Sequence, residues 1–118
     1  MQKTILITGC SGQLGYNLCR DLSDHFNVIP TYKVHENKKN RLDLNDSNDF
    51  KYIFSTYNPD IIINCAALTN VDYCENNRKH CRDVNVAGLN KLITFSNTKT
   101  KIIHVSSDYV FDGLKDNY

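Results

Sequence analysis

An apolar strand that runs directly into three glycines constrains the fold of this chain more than any other feature. The strand spans Thr4–Thr8 and is bounded by glycine, as is usual for a buried strand. The glycines follow it in the pattern GxxGxxG: Gly9, Gly12 and Gly15. Leucines then recur at every fourth residue, at Leu14, Leu18 and Leu22, which predicts one apolar face of a helix. A strand, a glycine-rich turn and a helix in this order predict an alternating α/β fold.

The rest of the chain continues the alternation of apolar strands and amphipathic helices. Further strands are predicted at residues 27–32, 41–44, 61–65 and 101–106. One helix is predicted after Asp46, which can cap it, and a longer helix over an apolar stripe that ends at Phe95. We therefore predict one Rossmann-type domain over residues 1–118, a doubly wound parallel sheet with strand order 3-2-1-4-5, incomplete after the fifth strand.

Three loops leave the carboxyl ends of strands in this predicted sheet, at residues 9–15, 66–70 and 106–113. In an open parallel sheet, ligands bind outside these ends, where the strand order reverses. The glycines of the first loop would let a pyrophosphate approach the backbone, and the following helix would point free amide groups at it. We favour a dinucleotide site, and a tight strand-to-helix turn without a ligand is the alternative.

The end of the second predicted strand bears on the choice between NAD and NADP. An acidic residue there binds the ribose hydroxyls of NAD, whereas a basic residue suits the additional phosphate of NADP. This chain has Thr31-Tyr32-Lys33 in that place and no acid. Lys33 therefore favours NADP over NAD as the cofactor, with an ordinary exposed lysine as the alternative. Asp43 is placed to contact the adenine amino group, unless it caps a helix or faces solvent.

Composition and charge argue against several other classes of function. A net charge of +1 gives no electrostatic basis for binding nucleic acid, and residues 38–41 are interpreted as a solvated loop. No apolar run approaches the roughly 20 residues of a membrane span, and the N-terminus lacks the features of a signal peptide, so a cytoplasmic location is expected. The cysteines are odd in number and form no CxxC pair, so neither a disulfide framework nor a metal site is predicted, even around Cys74, His80 and Cys81.

Four segments together resemble a known family. They are TGCSGQLG at residues 8–15, PDIIINCAALTNVD at 59–72, VNVAG at 84–88 and SSDYVFDG at 106–113. In these segments the chain is similar to the dTDP-4-dehydrorhamnose reductase family of the extended short-chain dehydrogenases/reductases, and the last segment is the most specific. The resemblance implies an oxidoreductase of dTDP-L-rhamnose biosynthesis that transfers hydride from NAD(P)H to the 4-keto group of a nucleotide-sugar, dTDP-4-dehydrorhamnose.

The same resemblance implies roles for individual residues. One group would hold the pyrophosphate: Gly9, Gly12 and Gly15, with backbone contacts from Gln13 and Leu14. Asp43 and Leu44 would flank the adenine. Another group would line the ribose and the nicotinamide: Ala66, Ala67 and Thr69. Ser107 matches the catalytic hydroxyl of the family, and Tyr109 and Val110 would border the sugar pocket.

The chain departs from the pattern of this family at three points. The tyrosine general acid and the lysine of a YxxxK motif do not occur in these residues and are expected after Tyr118. The half that binds the nucleotide-sugar is expected there as well. The reacting carbonyl needs a proton donor, and Ser107 alone is a poor one, so these residues by themselves are expected to be inactive. Asn17 stands where some members carry a glutamate that helps to bind magnesium, so no metal dependence is implied.

Two other functions remain open at this point. The first is a non-catalytic dinucleotide-binding module, because the regulatory subunit of methionine adenosyltransferase has a similar SSDYVFDG segment. The second is a nucleotide-sugar epimerase or dehydratase of the same superfamily. A homo-oligomer is also left open, since apolar surface that later elements would cover favours association.

Overall fold

A computed structural model describes residues 2–34, 40–107, 109 and 111–117, and at the centre of this part lies a parallel sheet of four strands. The strands are β1 (Thr4–Thr8), β2 (Asn27–Pro30), β3 (Ile61–Asn64) and β4 (Lys101–His104). Their order across the sheet is β2-β1-β3-β4, and the register places Leu6 opposite both Ile29 and Ile62. The predicted α/β class with a parallel sheet is confirmed.

The predicted five-strand order 3-2-1-4-5 is wrong in one respect, because residues 41–44 do not form a strand. A single parallel bridge joins Tyr32 to Arg41, at the position that the third strand would occupy. The backbone of Asp43 is engaged elsewhere: its N–H donates to the Asp49 carboxylate and its carbonyl accepts from Asp46 N–H, both at 2.9 Å. The segment is therefore a loop in which Leu42 and Leu44 are buried, and the other strands keep their predicted relative order.

Helices connect the strands, and one of them begins at the cap that the sequence predicts, Asp46. They are α1 (Gln13–Leu22), α2 (Ser47–Thr56), α3 (Val71–Asn76), α4 (Arg78–Arg82) and α5 (Gly88–Phe95). Asp46 caps α2 by accepting a hydrogen bond from Asn48 N–H at 2.9 Å, as the sequence predicts. The predicted long helix is interrupted, since a π-helical turn at Asp83–Ala87 joins α4 to α5.

Helices cover both faces of the sheet, which explains why the strands are continuously apolar. On one face, Leu6, Ile29 and Ile62 of the strands pack against the helices. Their partners are Phe50 and Ile53 of α2 and Leu92 of α5. On the other face, Ile5, Ile7 and Ile63 pack with residues of α1, among them Leu18 and Leu22. β4 is less well covered, because Ile103 on the face of α1 is 52% exposed.

Candidate functional site

The glycine turn between β1 and α1 lies against the loop that follows β3. Gly9 has φ +69°, in the left-handed region that favours glycine. A Cβ atom at Gly9 would lie 2.9 Å from both Cα and N of Ala66, so a side chain does not fit there. A Cβ atom at Gly15 would lie 2.4 Å from the Gly9 carbonyl oxygen. The structure thus brings together two of the loops that were predicted to form the cofactor site.

The amino end of α1 is open toward solvent. Its N-cap is Gly12, which is exposed and has no side chain to cap the helix. Gln13 and Leu14 follow as the first helical residues, and the amide groups of a first helical turn have no partner within the helix. An anion can therefore approach these amides, which also lie at the positive end of the helix dipole. The turn fits the pyrophosphate of a dinucleotide.

A buried threonine fixes the start of the loop after β3. Thr8 Oγ1 accepts hydrogen bonds from the N–H groups of Cys65 and Ala66, both at 3.1 Å. It donates to Asn64 Oδ1 at 2.6 Å, and Asn64 Nδ2 lies 3.2 Å from His104 Nδ1. Thr8 and Asn64 are buried, so the hydrogen bond between them is shielded from water. The carboxyl ends of three strands are thereby linked by side chains.

A second polar side chain holds the middle of the same loop. Asn85, in the π-helical turn, accepts from Leu68 N–H at 2.8 Å and donates to the Leu68 carbonyl at 3.0 Å. The extra residue of a π-helical turn changes the direction of the side chains that follow it, and such turns are frequent at functional sites. Ala66 is half-buried. Ala67 and Thr69, on either side of Leu68, are exposed, so a ligand can reach them.

The end of β2 presents one basic residue to solvent. Thr31 is buried and tied to β1, because both its N–H and its hydroxyl donate to the Ile7 carbonyl at 2.9 Å. Burial raises the pKa of the Tyr32 phenol that follows. Lys33 is exposed, and its carbonyl accepts from Arg41 Nε at 3.2 Å. Arg41 is committed to Asp49, at 3.3 Å, which leaves Lys33 as the better candidate for a 2′-phosphate.

The two residues predicted to flank an adenine differ in their surroundings. Asp43 is partly exposed, and its Oδ1 accepts from Asn45 N–H at 2.9 Å in a local turn. It does not cap α2, because Asp46 has that role. The Leu44 side chain is buried in the core beside Gly88, where a Cβ atom would lie 2.8 Å from Leu44 Cβ. The Leu44 side chain is therefore closed to a ligand, and contact of its backbone with an adenine stays a prediction.

The residues predicted to act on the sugar follow β4 and are exposed. Ser107 lies three residues beyond the end of the strand, and its Oγ accepts from Tyr109 N–H at 3.2 Å. The hydroxyl proton therefore stays available to a ligand. The Tyr109 side chain is 80% exposed. Val110 lies outside the described residues. Contact of Ser107 with the cofactor loops stays a prediction.

Four cysteines lie near these loops: Cys10, Cys19, Cys65 and Cys81. Cys10, inside the glycine turn, lies with its Sγ 2.9 Å from Cys19 Sγ on α1. Burial and this hydrogen bond raise the pKa of the Cys10 thiol, and burial also raises that of Cys65. Asn85 Nδ2 donates to Cys81 Sγ at 3.3 Å. Within the part of the chain that the structure describes, no group of His, Cys, Asp and Glu could hold a metal ion.

Sequence reasoning missed Thr8, Asn64, His104 and Asn85. The first three are the final residues of β1, β3 and β4, and each ends an otherwise apolar run. A polar residue at the end of a buried strand is a usable signal, because it must find a hydrogen-bond partner there. The contact between Asn85 and Leu68 left no such signal, since it depends on how the π-helical turn faces the loop.

Comparison with known proteins places this site in a family. The family model described as RmlD substrate binding domain matches residues 2–118. This chain belongs to the RmlD family. A dTDP-4-dehydrorhamnose reductase of Aggregatibacter actinomycetemcomitans is 38% identical over 112 residues, which are 94% of this chain and 37% of that protein. The subunit named methionine adenosyltransferase 2 subunit beta of Bos taurus is 29% identical over 119 residues, covering 98% of this chain and 36% of that protein.

A solved structure agrees with the RmlD assignment. The crystal structure of dTDP-4-dehydrorhamnose reductase from Bacillus anthracis in complex with NADP has a TM-score of 0.85 and 30% sequence identity, over 98% of this chain and 40% of that one. This RmlD-family chain thus spans well under half the length of these relatives. Among its described residues, no helix is both long and apolar enough to cross a membrane.

Proposed function

We propose that this chain forms the cofactor-binding part of an NADP(H)-dependent reductase that acts on a nucleotide-linked 4-keto sugar, dTDP-4-dehydrorhamnose. The observation that carries the proposal is the glycine turn packed on Ala66, with the uncapped amino end of α1 beside it. This arrangement offers backbone amides to a pyrophosphate and leaves no space for side chains between the two loops. The RmlD relative named as a reductase and the similar structure in complex with NADP support the choice of reaction and cofactor.

Each cofactor-binding residue then has a physical task. Gly9 and Gly15 let the turn pack closely, and Gly12 keeps the helix end clear for the diphosphate. Lys33 would meet the 2′-phosphate, and Asp43, with one carboxylate oxygen already engaged by Asn45, would offer the other to the adenine amino group. Ala66, Ala67 and Thr69 would lie along the ribose and nicotinamide, on a loop fixed by Thr8 and Asn85.

The chemistry assigned to this chain is limited to binding and orientation. The bound cofactor would supply the hydride for the 4-keto group. Ser107, whose proton is not committed to Tyr109, would hold the carbonyl oxygen by a hydrogen bond. Proton transfer by a positioned general acid contributes about 10²–10⁴-fold to such a reaction, and no YxxxK motif supplies one within these residues. We therefore expect cofactor binding without sugar reduction by the 118-residue chain.

The direct test is a calorimetric titration of the chain with NADPH and with NADH. We expect tighter binding of NADPH, and loss of both signals in Gly12→Val because its side chain would occupy the pyrophosphate position. Lys33→Ala should lower the affinity for NADPH about tenfold, the cost of one charge-assisted contact, and leave that for NADH unchanged. Lys51→Ala, at an exposed lysine of α2, is the matched control. Equal binding of NADPH by Gly12→Val and by the unchanged chain would contradict the proposed site.

A non-catalytic regulatory module is the second candidate. The similarity to methionine adenosyltransferase 2 subunit beta favours it, together with serine at both positions 106 and 107. Both candidates predict cofactor binding, so turnover must separate them. The gene product that carries these residues should oxidise NADPH in the presence of dTDP-4-dehydrorhamnose if it is a reductase. NADPH binding without any conversion of this sugar would favour the regulatory module, and conversion without net NADPH use would favour an epimerase or dehydratase.

A further inference from the structure

We infer that His104 is a positioning residue for the loop after β3, held in one tautomer by a ladder of hydrogen bonds that crosses three strands. The ladder consists of Thr8, Asn64 and His104. The inference deepens the proposed function, on which its consequence for cofactor binding rests. His104 lies on the edge strand β4 and has no hydrogen bond to the loop itself, so it acts through Asn64.

The ladder follows from the register of the sheet. Thr8 is paired with Asn64, and Asn64 is paired with His104, so the three residues are neighbours across the sheet. Successive side chains of a strand point to opposite faces, and paired residues share a face. All three therefore lie on the same face, at the carboxyl edge where the predicted cofactor loops leave the strands.

The direction of the first hydrogen bond is fixed by the backbone. Thr8 Oγ1 accepts from two N–H groups, those of Cys65 and Ala66, each at 3.1 Å. A hydroxyl has two acceptor positions and one proton, so the acceptor capacity of Thr8 is filled. Its proton must point to Asn64, 2.6 Å away, and only the carbonyl oxygen of that amide can accept it. This determines which way the Asn64 amide faces, a choice that hydrogen-bond partners usually decide.

The direction of the second hydrogen bond follows from the first. With Oδ1 turned to Thr8, Asn64 presents its NH₂ group to His104 Nδ1 at 3.2 Å. An amide NH₂ group only donates, so Nδ1 must accept and the proton of the neutral imidazole must lie on Nε2. Two backbone amides after β3 thus select the tautomer of a histidine on β4. If Nδ1 carried a proton, it and the Asn64 NH₂ group would both be donors, and the hydrogen bond between Asn64 and His104 would be lost.

The ladder affects the position of the loop after β3. Asn64 is buried, and without an acceptor at position 104 its NH₂ group loses a hydrogen bond and is free to turn toward another partner. Turning the amide removes the acceptor of the Thr8 proton, and the same hydroxyl holds the amides of Cys65 and Ala66. Ala66 packs directly on Gly9, so a shift of this loop reaches the glycine turn. We expect the affinity for the cofactor to depend on an acceptor at position 104.

Nitrogen NMR of the unchanged chain tests the ladder without any variant. At neutral pH, the ¹⁵N shifts of the His104 ring should show an unprotonated Nδ1 and a protonated Nε2. Asn64→Asp presents an acceptor to both neighbours, so it should move the His104 proton to Nδ1 or add one there. A protonated Nδ1 in the unchanged chain would overturn the inference.

Cofactor affinity tests the positioning role. His104→Leu, which removes the acceptor, should weaken NADPH binding about tenfold, and His104→Gln, which restores one, should stay within about twofold of the unchanged chain. His25→Leu, at an exposed histidine after α1, is the control and should change nothing. An equal loss of NADPH affinity in His104→Gln and His104→Leu would overturn the positioning role. If the unchanged chain binds no NADPH, the proposed function fails and the positioning role with it, whereas the nitrogen shifts still decide the ladder.

Discussion

At the scale of single residues, two glycines of the same motif differ in how much space a side chain would have. A Cβ atom at Gly15 would lie 2.4 Å from the Gly9 carbonyl, whereas one at Gly12 would lie 3.3 Å from it. Gly15→Ala should therefore force the backbone apart and lower the free energy of unfolding by about 1–3 kcal/mol. Gly12→Ala makes a milder contact and replaces a favourable N-cap residue, so it should cost less, about 0.5–1 kcal/mol. Urea unfolding of both variants measures the difference, and equal stabilities would contradict the close packing at Gly15.

The thiol of Cys10 gives a prediction about alkaline stability. Burial raises the pKa of this thiol in the folded chain above its ordinary value of 9.0, and the hydrogen bond to Cys19 acts in the same direction. A group whose pKa is raised by folding contributes stability below its unfolded pKa and loses that contribution as the pH rises. The free energy of unfolding should therefore fall above about pH 9, because the unfolded chain releases this proton first.

The Cys10→Ala variant isolates the contribution of this thiol to the pH dependence. It removes some core packing at every pH, so the slope of stability between about pH 8 and pH 10 is the useful readout, and not the absolute value. The slope should be shallower in Cys10→Ala than in the unchanged chain. A residual slope is expected, because burial also raises the pKa values of Cys65 and Tyr32. Identical slopes in the two proteins would show that Cys10 ionises equally in the folded and unfolded states.

At the scale of secondary-structure elements, the π-helical turn between α4 and α5 holds the loop after β3. Asn85 makes two hydrogen bonds to the backbone of Leu68, at 2.8 and 3.0 Å. Asn85→Ala should release this loop, speed amide hydrogen exchange at Leu68 and weaken NADPH binding about three- to tenfold. Asn90→Ala, at an exposed asparagine of α5, is the control and should leave both unchanged. Unaltered exchange at Leu68 in Asn85→Ala would contradict the clamp.

The sequence predicted most elements, because local patterns determine them. Apolar runs located β1 and β3, and the Asp46 cap located the start of α2. The strand predicted at residues 41–44 was wrong, because the N–H of Asp43 donates to Asp49 and its carbonyl accepts from Asp46, so neither group joins a strand ladder. The glycines of the site were visible as a motif. The ladder was not, since its members lie 40 and 56 residues apart and meet only through the register.

At the scale of the whole molecule, β4 is the least protected part of the sheet. Within the described residues it pairs with β3 alone, which leaves one of its edges without a strand. On the face of α1, Ile103 and Val105 are 52% and 41% exposed. An exposed strand edge next to apolar side chains is a surface that readily pairs with another chain. The 118-residue chain is therefore expected to associate as its concentration rises.

Two substitutions of similar exposure test whether this surface drives the association. Ile103→Lys places a charge on β4, and lysine on an edge strand opposes pairing with a second strand. Ile93→Lys makes the same change on α5, where the side chain is 56% exposed. Sedimentation velocity over a range of concentrations should show that Ile103→Lys remains monomeric where the unchanged chain and Ile93→Lys associate. Association that is equally reduced by both lysines would reflect net charge, and association unchanged by Ile103→Lys would place the contact on another surface.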